Sequence, residues 1–384
     1  MRPDFGHEAG EQMMTRKTIR GVVAMLAAGF VQASSMAEQA KAPELTLIGM
    51  TAIPHDTRLQ GIAVGGLSGL DRLPGGDYLA ISDDKGDGRP PRFYRLSITL
   101  DPVRHRMRVR LNGQVSLRDA HGTPFPTDRS VVDPEAIRHA RGNNVYWSSE
   151  GTWSADPARR VQPAIYESDA TGRILRRFSL PAAYLYDDNR TLGAVSNGVI
   201  EGLAVGPQGT VYAINEAPAY QDGQADGESN TVMRHRLTSF DPKSGKPLHQ
   251  YLYEVPGGRY SVSELLAIDD RHFLSIERIL PFDARKGVMA RIVLSGIADR
   301  TTDILSCPAL TSCPAAPMTR AVLLDLPERY QGRKIDNLEG MAWGPRLRDG
   351  RRTLIVEADD NFSKAEESQF LAFAWRNPMF GPGD

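Results

Sequence analysis

Five short hairpins with one shared pattern of apolar and polar residues recur along the chain. In the clearest copy an acidic residue, Glu201, opens an apolar run, a glycine-containing turn follows, and a second apolar run ends at Glu216. Two apolar runs joined by a tight turn predict two antiparallel strands. The other copies run from Ser68 to Asp83, Glu135 to Glu150, Glu264 to Glu277, and Glu339 to Asp359.

The copies follow one another at a near-regular period. Their opening residues, taken as Ser68, Glu135, Glu201, Glu264 and Glu339, are 67, 66, 63 and 75 residues apart. Regular self-similarity indicates a closed array in which each repeat is one blade. Further strand-like segments, such as 164–168 and 174–180, follow the hairpins and predict four antiparallel strands per blade. We therefore predict an all-β fold, a single β-propeller of five blades, with six blades as the alternative if residues 104–133 hide a degenerate one.

The predicted propeller domain covers residues 43–378. A strand-like segment at 44–53 precedes the first hairpin and has no partner nearby in the sequence. In a ring of blades the natural partner of such a strand is the last blade, so we expect the two ends of the chain to close the ring together. Polar loops at 104–133 and 184–198 are long enough to cap one face of the ring.

The first 37 residues have the features of an export signal. Three basic residues precede an apolar run at 21–31, which is shorter than the ~20 residues that a membrane-spanning helix needs. Ser35 and Ala37 supply small residues for cleavage after Ala37, and we predict a periplasmic or secreted protein. A cytosolic protein with an apolar N-terminal helix is the alternative. The acidic segment 1–12 is unusual for a signal, so the start of translation stays open between Met1, Met13 and Met14.

The charge balance limits the classes of partner that the sequence predicts. The chain has 46 basic and 47 acidic residues, which gives no argument for nucleic acid or for an anionic membrane surface. We expect a monomer that binds a small-molecule substrate, with no nucleic acid and no membrane after the signal is removed.

Cys307 and Cys313 are six positions apart and are predicted to form a disulfide in an exported protein. Two free thiols on a loop are the alternative.

The acids of the hairpins are expected to converge at one end of the propeller, because the opening and closing residues of an antiparallel hairpin lie side by side. Carboxylates gathered in a partly dry channel raise one another's pKa and repel unless a cation neutralises them. An all-oxygen donor set favours Ca²⁺ over Zn²⁺. We predict Ca²⁺ as the cofactor, with the ligands Glu135, Glu201, Glu264, Glu339, Asp83, Glu150 and Asp359. The alternative is that these acids latch neighbouring blades through backbone amides.

Signatures of other hydrolases are missing from the sequence. It has no His-Glu-x-x-His, no Gly-x-Ser-x-Gly, no phosphate loop and no dinucleotide glycine pattern. The remaining candidate is catalysis by carboxylates, in which an acid that is not a metal ligand accepts the proton of a water. Glu216 and Glu277 are the predicted bases, and Arg278 is predicted to stabilise developing negative charge.

Several strings occur in a characteristic order: Gly-Leu-Ser-Gly-Leu-Asp from Gly66, Asp-Pro-Glu-Ala-Ile from Asp133, Glu-Gly-Leu-Ala from Glu201 and Asn-Leu-Glu-Gly-Met-Ala from Asn337. Over about residues 45–375 the chain resembles the bacterial phytase-like domain, the family called esterase-like activity of phytase. The resemblance implies an exported β-propeller, related to calcium-dependent propeller phytases, that hydrolyses carboxylic or phosphoric esters. A non-catalytic periplasmic propeller, with a structural ion and a binding or scaffolding role, is the alternative.

Overall fold

The computed structural model describes residues 44–86, 88–128, 130–223, 232–257, 260–279 and 289–376. The predicted export signal lies outside these ranges. Within them, regular structure is β-strand apart from three single-turn 3-10 helices at Pro157–Arg159, Ala182–Tyr184 and Tyr220–Asp222. No helix in this part of the chain has the length and apolar character needed to cross a membrane.

Three strands precede the first full sheet: β1 (Glu44–Ile53), β2 (Arg58–Leu59) and β3 (Ile62–Ala63). The strands β2 and β3 pair with each other as a small hairpin. The strand β1 joins the far end of the chain, as described below.

Groups of four antiparallel strands, here called blades, then follow one another along the sequence, and a parallel contact of β1 with residue Arg106 joins the first and last of them into one eight-stranded sheet. Blade 1 consists of β4 (Leu67–Arg72), β5 (Tyr78–Ser82), β6 (Arg92–Asp101) and β7 (Arg106–Ser116). Blade 2 consists of β8 (Pro134–His139), β9 (Val145–Ser149), β10 (Ala164–Ser168) and β11 (Ile174–Arg177). Blade 3 consists of β12 (Ile200–Val205), β13 (Val211–Asn215), β14 (Val232–Phe240) and β15 (Pro247–Pro256). Blade 4 consists of β16 (Tyr260–Ala267), β17 (His272–Ile279), β18 (Ala290–Gly296) and β19 (Thr319–Leu326).

The fifth blade combines both ends of the described chain. After the short pair β20 (Arg329–Tyr330) and β21 (Arg333–Lys334), it uses β22 (Asn337–Trp343), β23 (Arg352–Asp359) and β24 (Ser368–Arg376). Its fourth strand is β1, which pairs antiparallel with β24 from Glu44 opposite Arg376 to Ile53 opposite Ser368. The predicted ring closure by residues 44–53 is confirmed.

The innermost strands β4, β8, β12, β16 and β22 pack side by side in a ring, each against the first strand of the next blade. Blades covered on both faces need apolar strands throughout, and the inner strands β5, β9 and β13 are buried along their whole length. The prediction of five blades is confirmed and the six-blade alternative is wrong. The first half of the expected loop at 104–133 is β7, the outer strand of blade 1.

Candidate metal site

Each innermost strand breaks its pairing register near its start. The shifts fall between Leu67 and Gly69, Pro134 and Ile137, Ile200 and Gly202, Val262 and Glu264, and Leu338 and Gly340. A β-bulge of this kind bends the strand and turns a side chain out of the regular alternation. The residues inside these breaks are Ser68, Glu135 with Ala136, Glu201, Ser263 and Glu339.

The register corrects the predicted repeat in blade 4 by one residue. Val262 pairs with Glu277 and Glu264 pairs with Ile276, so Ser263 occupies the bulge. The expected equivalence of Glu264 with Glu201 is therefore wrong, and Arg278, the residue after Glu277, stands where Glu216 stands in blade 3. The sequence holds the signal, since Ser-Glu-Leu-Leu from Ser263 aligns with Glu-Gly-Leu-Ala from Glu201 without a gap.

The two shifted acids are paired with arginines, Glu264 with one from blade 2 and Glu277 with one from its own blade. Glu264 is fully buried, its Oε1 lies 2.7 Å from Nη2 of Arg138, and it accepts hydrogen bonds from the amides of Leu265 and Met341. Burial raises the pKa of Glu264 to about 7 although Arg138 opposes the change. Glu277 is also fully buried and accepts from Arg320 Nε at 2.7 Å and from the Tyr253 hydroxyl at 2.6 Å. Glu264 thus joins strands of different blades through backbone amides, which is the alternative role given above for the hairpin acids.

Two groups of carboxylates converge instead around Glu150. Asp133, Glu135 and Glu150 each offer an oxygen within 4.8 Å of the other two, and so do Glu150, Glu201 and Glu216. Glu150 belongs to both groups, so the arrangement has room for two neighbouring cations that share one carboxylate. Asp83, Glu339 and Asp359 complete the acidic end of the ring, where burial and the charge of Glu339 raise the pKa values of Asp83 and Asp359.

The donor set fits a hard divalent cation. Glu135, Glu150 and Glu201 are 7%, 1% and 4% exposed. Among the described residues, no partner is found for the buried oxygens Asp133 Oδ1, Glu150 Oε2 and Glu201 Oε2. A buried carboxylate oxygen without a donor costs free energy that an oxygen-coordinated cation would recover.

Burial and mutual repulsion raise the pKa values of several of these acids. Burial raises the pKa of Glu150 to about 8, with help from the charges of Glu216 and Asp133. The pKa values of Glu135 and Glu201 rise well above the usual range for the same two reasons. Burial and the charge of Glu339 raise the pKa of Asp83 to about 8.

Two cations of the chain itself flank the acids. Arg278 places Nη2 3.0 Å from Oε1 of Glu216 and 3.9 Å from Oε1 of Glu201, and its Nη1 contacts Glu339. Lys85 places Nζ 2.6 Å from Oδ2 of Asp133 on the other side. Together they neutralise part of the acidic end and leave Glu150, between them, without a described cationic partner.

Two other basic residues near this end, Arg89 and Arg92, form ion pairs with Asp84. Arg92 is fully buried, with Nη1 2.9 Å from Oδ2 of Asp84, and Arg89 contacts the same oxygen while its guanidinium lies 3.9 Å from the ring centroid of Phe362. They are therefore held by an internal carboxylate.

Sequence reasoning missed two acids. Asp133 belongs to the first carboxylate group, and its place two residues before Glu135 in the Asp-Pro-Glu string was the available signal. Glu357 is fully buried and neither of its oxygens has a partner among the described residues. Burial and the charge of Asp359 raise its pKa well above the usual range, and no pattern in the sequence distinguishes it from a core position.

The family model described as phytase-like, esterase-like activity of phytase, matches residues 62–362. The chain belongs to the phytase-like family. The match covers all five predicted hairpins and leaves out only the two outer strands of blade 5, β24 and β1, and the short strand β2. Membership indicates a hydrolase, and the buried acidic groups of this phytase-like protein can hold a metal ion. No curated protein matches the chain.

Solved structures resemble this phytase-like chain only in outline. A luciferin-regenerating enzyme is 12% identical with a TM-score of 0.39, covering 85% of this chain and 94% of its own. A thermostable family-43 glycoside hydrolase is 8% identical with a TM-score of 0.43, covering 84% and 92%. A putative gluconolactonase is 11% identical with a TM-score of 0.33, covering 79% and 72%. These likenesses carry no argument about chemistry.

Proposed function

We propose that the protein is an exported, calcium-dependent hydrolase of phosphoric or carboxylic esters. The observation that supports this most directly is the pair of buried carboxylate groups that share Glu150, with oxygens for which the described residues supply no donor. Asp133, Glu135 and Glu150 would hold one Ca²⁺, and Glu150, Glu201 and Glu216 a second. A Ca²⁺ bound there would supply a Lewis acid that polarises the phosphoryl or carbonyl oxygen of the substrate.

Proton transfer is assigned to Asp83. Glu216, predicted as a base, is a member of the second ligand group, and Glu277 is engaged by Arg320 and Tyr253. Asp83 lies at the same end of the ring, is partly exposed, and belongs to neither ligand group. Its pKa of about 8 is close to neutral pH, where a carboxyl can both accept and return a proton.

Arg278 provides fixed positive charge beside the second carboxylate group. Its guanidinium contacts Glu216 and Glu339, which holds it in one orientation at the edge of the second group. A positive group that is already oriented stabilises charge developing on the substrate without having to reorganise during the reaction.

A structural ion is the second candidate, and one observation favours it. The ligand carboxylates are at most 7% exposed, with Glu135 the most accessible of Glu135, Glu150 and Glu201. A cation held so deeply can stabilise the ring without touching a substrate, and the protein would then act as a binding or scaffolding module.

The experiment that tests the proposal is turnover of phosphomonoester, phosphodiester, carboxylic ester and lactone substrates, with Ca²⁺ and with EDTA. Asp83→Asn should lower kcat by about 100-fold, the lower end of what general acid–base catalysis contributes, while keeping most of the calcium-induced rise in Tm, since Asp83 belongs to neither ligand group. Glu201→Gln should reduce both turnover and that rise. Glu367→Gln, at an exposed site in a loop of blade 5, is the matched control.

A wild-type protein that gains Tm with Ca²⁺ but turns over none of the four substrate classes would replace the hydrolase with the structural-ion candidate. If neither Ca²⁺ nor EDTA changes the Tm, no calcium ion is bound, and both the hydrolase and the structural-ion candidate lose their metal.

A further inference from the structure

The strands β6 and β7 form a ribbon with a strongly basic face. Ser97, Thr99 and Asp101 pair directly with Arg110, Arg108 and Arg106. Directly paired residues of antiparallel strands point to the same side of the sheet. The three arginines are exposed and stand at alternate positions, about 7 Å apart along the strand. We call β6, β7 and their connection the basic hairpin.

The opposite face of the basic hairpin is apolar and fixed to the body of the protein. Leu96 and Met107 belong to the core between blades 5 and 1, and Leu100, Val109 and Leu111 pack against it. The arginines are therefore carried by a rigid support.

The basic face is not neutralised within the protein. No carboxylate of the described residues pairs with Arg106, Arg108 or Arg110. The one acid on this face, Asp101, is occupied by Arg104, whose Nη1 lies 2.9 Å from Asp101 Oδ2. A surface with this much unpaired positive charge attracts an anionic partner although the whole chain is nearly neutral.

The tip of the basic hairpin carries one apolar side chain that is open to solvent. Val103 is 87% exposed, more than any other large hydrophobic residue in the described part of the chain, and Arg104 beside it is 71% exposed at its side chain. Because β6 starts at Arg92, at the acidic end of blade 1, and runs to Asp101, the tip lies at the end of the propeller opposite the acids.

We propose that the basic hairpin docks the protein on an anionic phospholipid surface. Basic side chains near such a surface are attracted by its potential, and an exposed apolar residue among them can enter the headgroup region. A soluble polyanion would use the arginines but would gain nothing from Val103, so the exposed valine among them favours the lipid surface. The inference does not depend on the hydrolase, since no residue of the metal site takes part.

The test is flotation of the full chain with vesicles of phosphatidylcholine, with and without phosphatidylglycerol. Pure phosphatidylcholine measures any lipid binding that does not depend on charge. Arg108→Gln/Arg110→Gln should lower partitioning onto the anionic vesicles by about 30-fold, and Val103→Ser should lower it by several-fold. The control, Arg159→Gln/Arg333→Gln, removes the same charge from exposed sites elsewhere on the molecule and should leave partitioning unchanged.

Soluble polyphosphate separates the two anionic partners. If it binds as well as the vesicles do and Val103→Ser has no effect on either, the hairpin recognises a polyanion and the lipid proposal is overturned. Equal losses in the Arg108/Arg110 variant and in the control variant would also overturn it, because the binding would then follow net charge alone. Melting curves of each variant distinguish lost binding from lost folding.

Discussion

At the scale of single residues, Glu150 has the most constrained position of the acidic end. It belongs to both carboxylate groups, it is 1% exposed, and its Oε2 has no described donor. Its Oε1 accepts from the amide of Val199, which fixes the side chain between blades 2 and 3. Losing this carboxylate should therefore affect two cations, whereas losing Glu135 or Glu216 should affect one.

Glu150→Gln should abolish most of the calcium-induced stabilisation, while Glu216→Gln should keep roughly half. A site gains about 2.7 kcal/mol at a hundredfold excess of ligand over its dissociation constant. In EDTA above about pH 8 the same Glu150→Gln variant should be more stable than wild type, because it removes one of several repelling charges. Thermal unfolding with Ca²⁺ and with EDTA checks both signs, and a Glu150→Gln protein that keeps the full calcium response would contradict the shared ligand.

At the scale of strands, the bulges and the small residues next to them explain how the five innermost strands, β4, β8, β12, β16 and β22, pack around one axis. Pairing resumes after the bulge at Gly69, Gly202 and Gly340 in blades 1, 3 and 5, and the corresponding residue of blade 2 is the small Ala136, inside the break of β8. A Cβ on Gly69 would approach the carbonyl oxygen of Glu135 to 2.9 Å. The same position in blade 4 is Glu264, which is accommodated because its side chain reaches Arg138 of blade 2.

Gly202→Ala should destabilise the protein by about 1–3 kcal/mol, the usual cost of overpacking. Its Cβ would lie 2.9 Å from the backbone nitrogen of Leu265 and 2.7 Å from Cγ2 of Ile214, and the backbone atom cannot rotate away. Gly113→Ala, in an open position of β7 with no atom within 4 Å, is the control and should be neutral. Urea unfolding of both variants measures the difference, and equal midpoints would show that the strands can move apart.

The strands were predictable where the pattern is local. Apolar runs joined by glycine turns locate the inner hairpins, and their period predicts five blades. The register of blade 4 was mispredicted because Ser263 fills the bulge and an acid follows it directly. The partner of Glu264 was out of reach for a different reason: Arg138 is in another blade, and no local pattern in a sequence marks contacts between blades.

At the scale of the whole molecule, the acidic end makes stability depend on pH. The pKa of Glu150 rises from 4.5 to about 8 and that of Asp83 from 3.8 to about 8 on folding. The folded protein therefore binds more protons than the unfolded chain between these values. Stability is highest below about pH 4 as far as these groups are concerned, and it is lost as the pH rises through about 8.

In EDTA, Tm should accordingly fall between about pH 5 and pH 9, and saturating Ca²⁺ should remove most of the fall by favouring the charged carboxylates. Scanning calorimetry across this range checks the prediction. Asp83→Asn/Glu150→Gln should flatten the profile in EDTA, and Glu367→Gln should not. A wild-type Tm that rises across this range in EDTA would have the opposite sign and would exclude the raised pKa values.

The closure of blade 5 has a consequence for the order in which the protein can mature. The strand β1 is among the first residues of the domain to be synthesised, yet its partner β24 is among the last. A contact between the two ends of a long chain forms slowly, since most of the loop entropy must be lost first. The ring therefore cannot close before the ribosome has synthesised β24, and until then β1 has no antiparallel partner to complete blade 5.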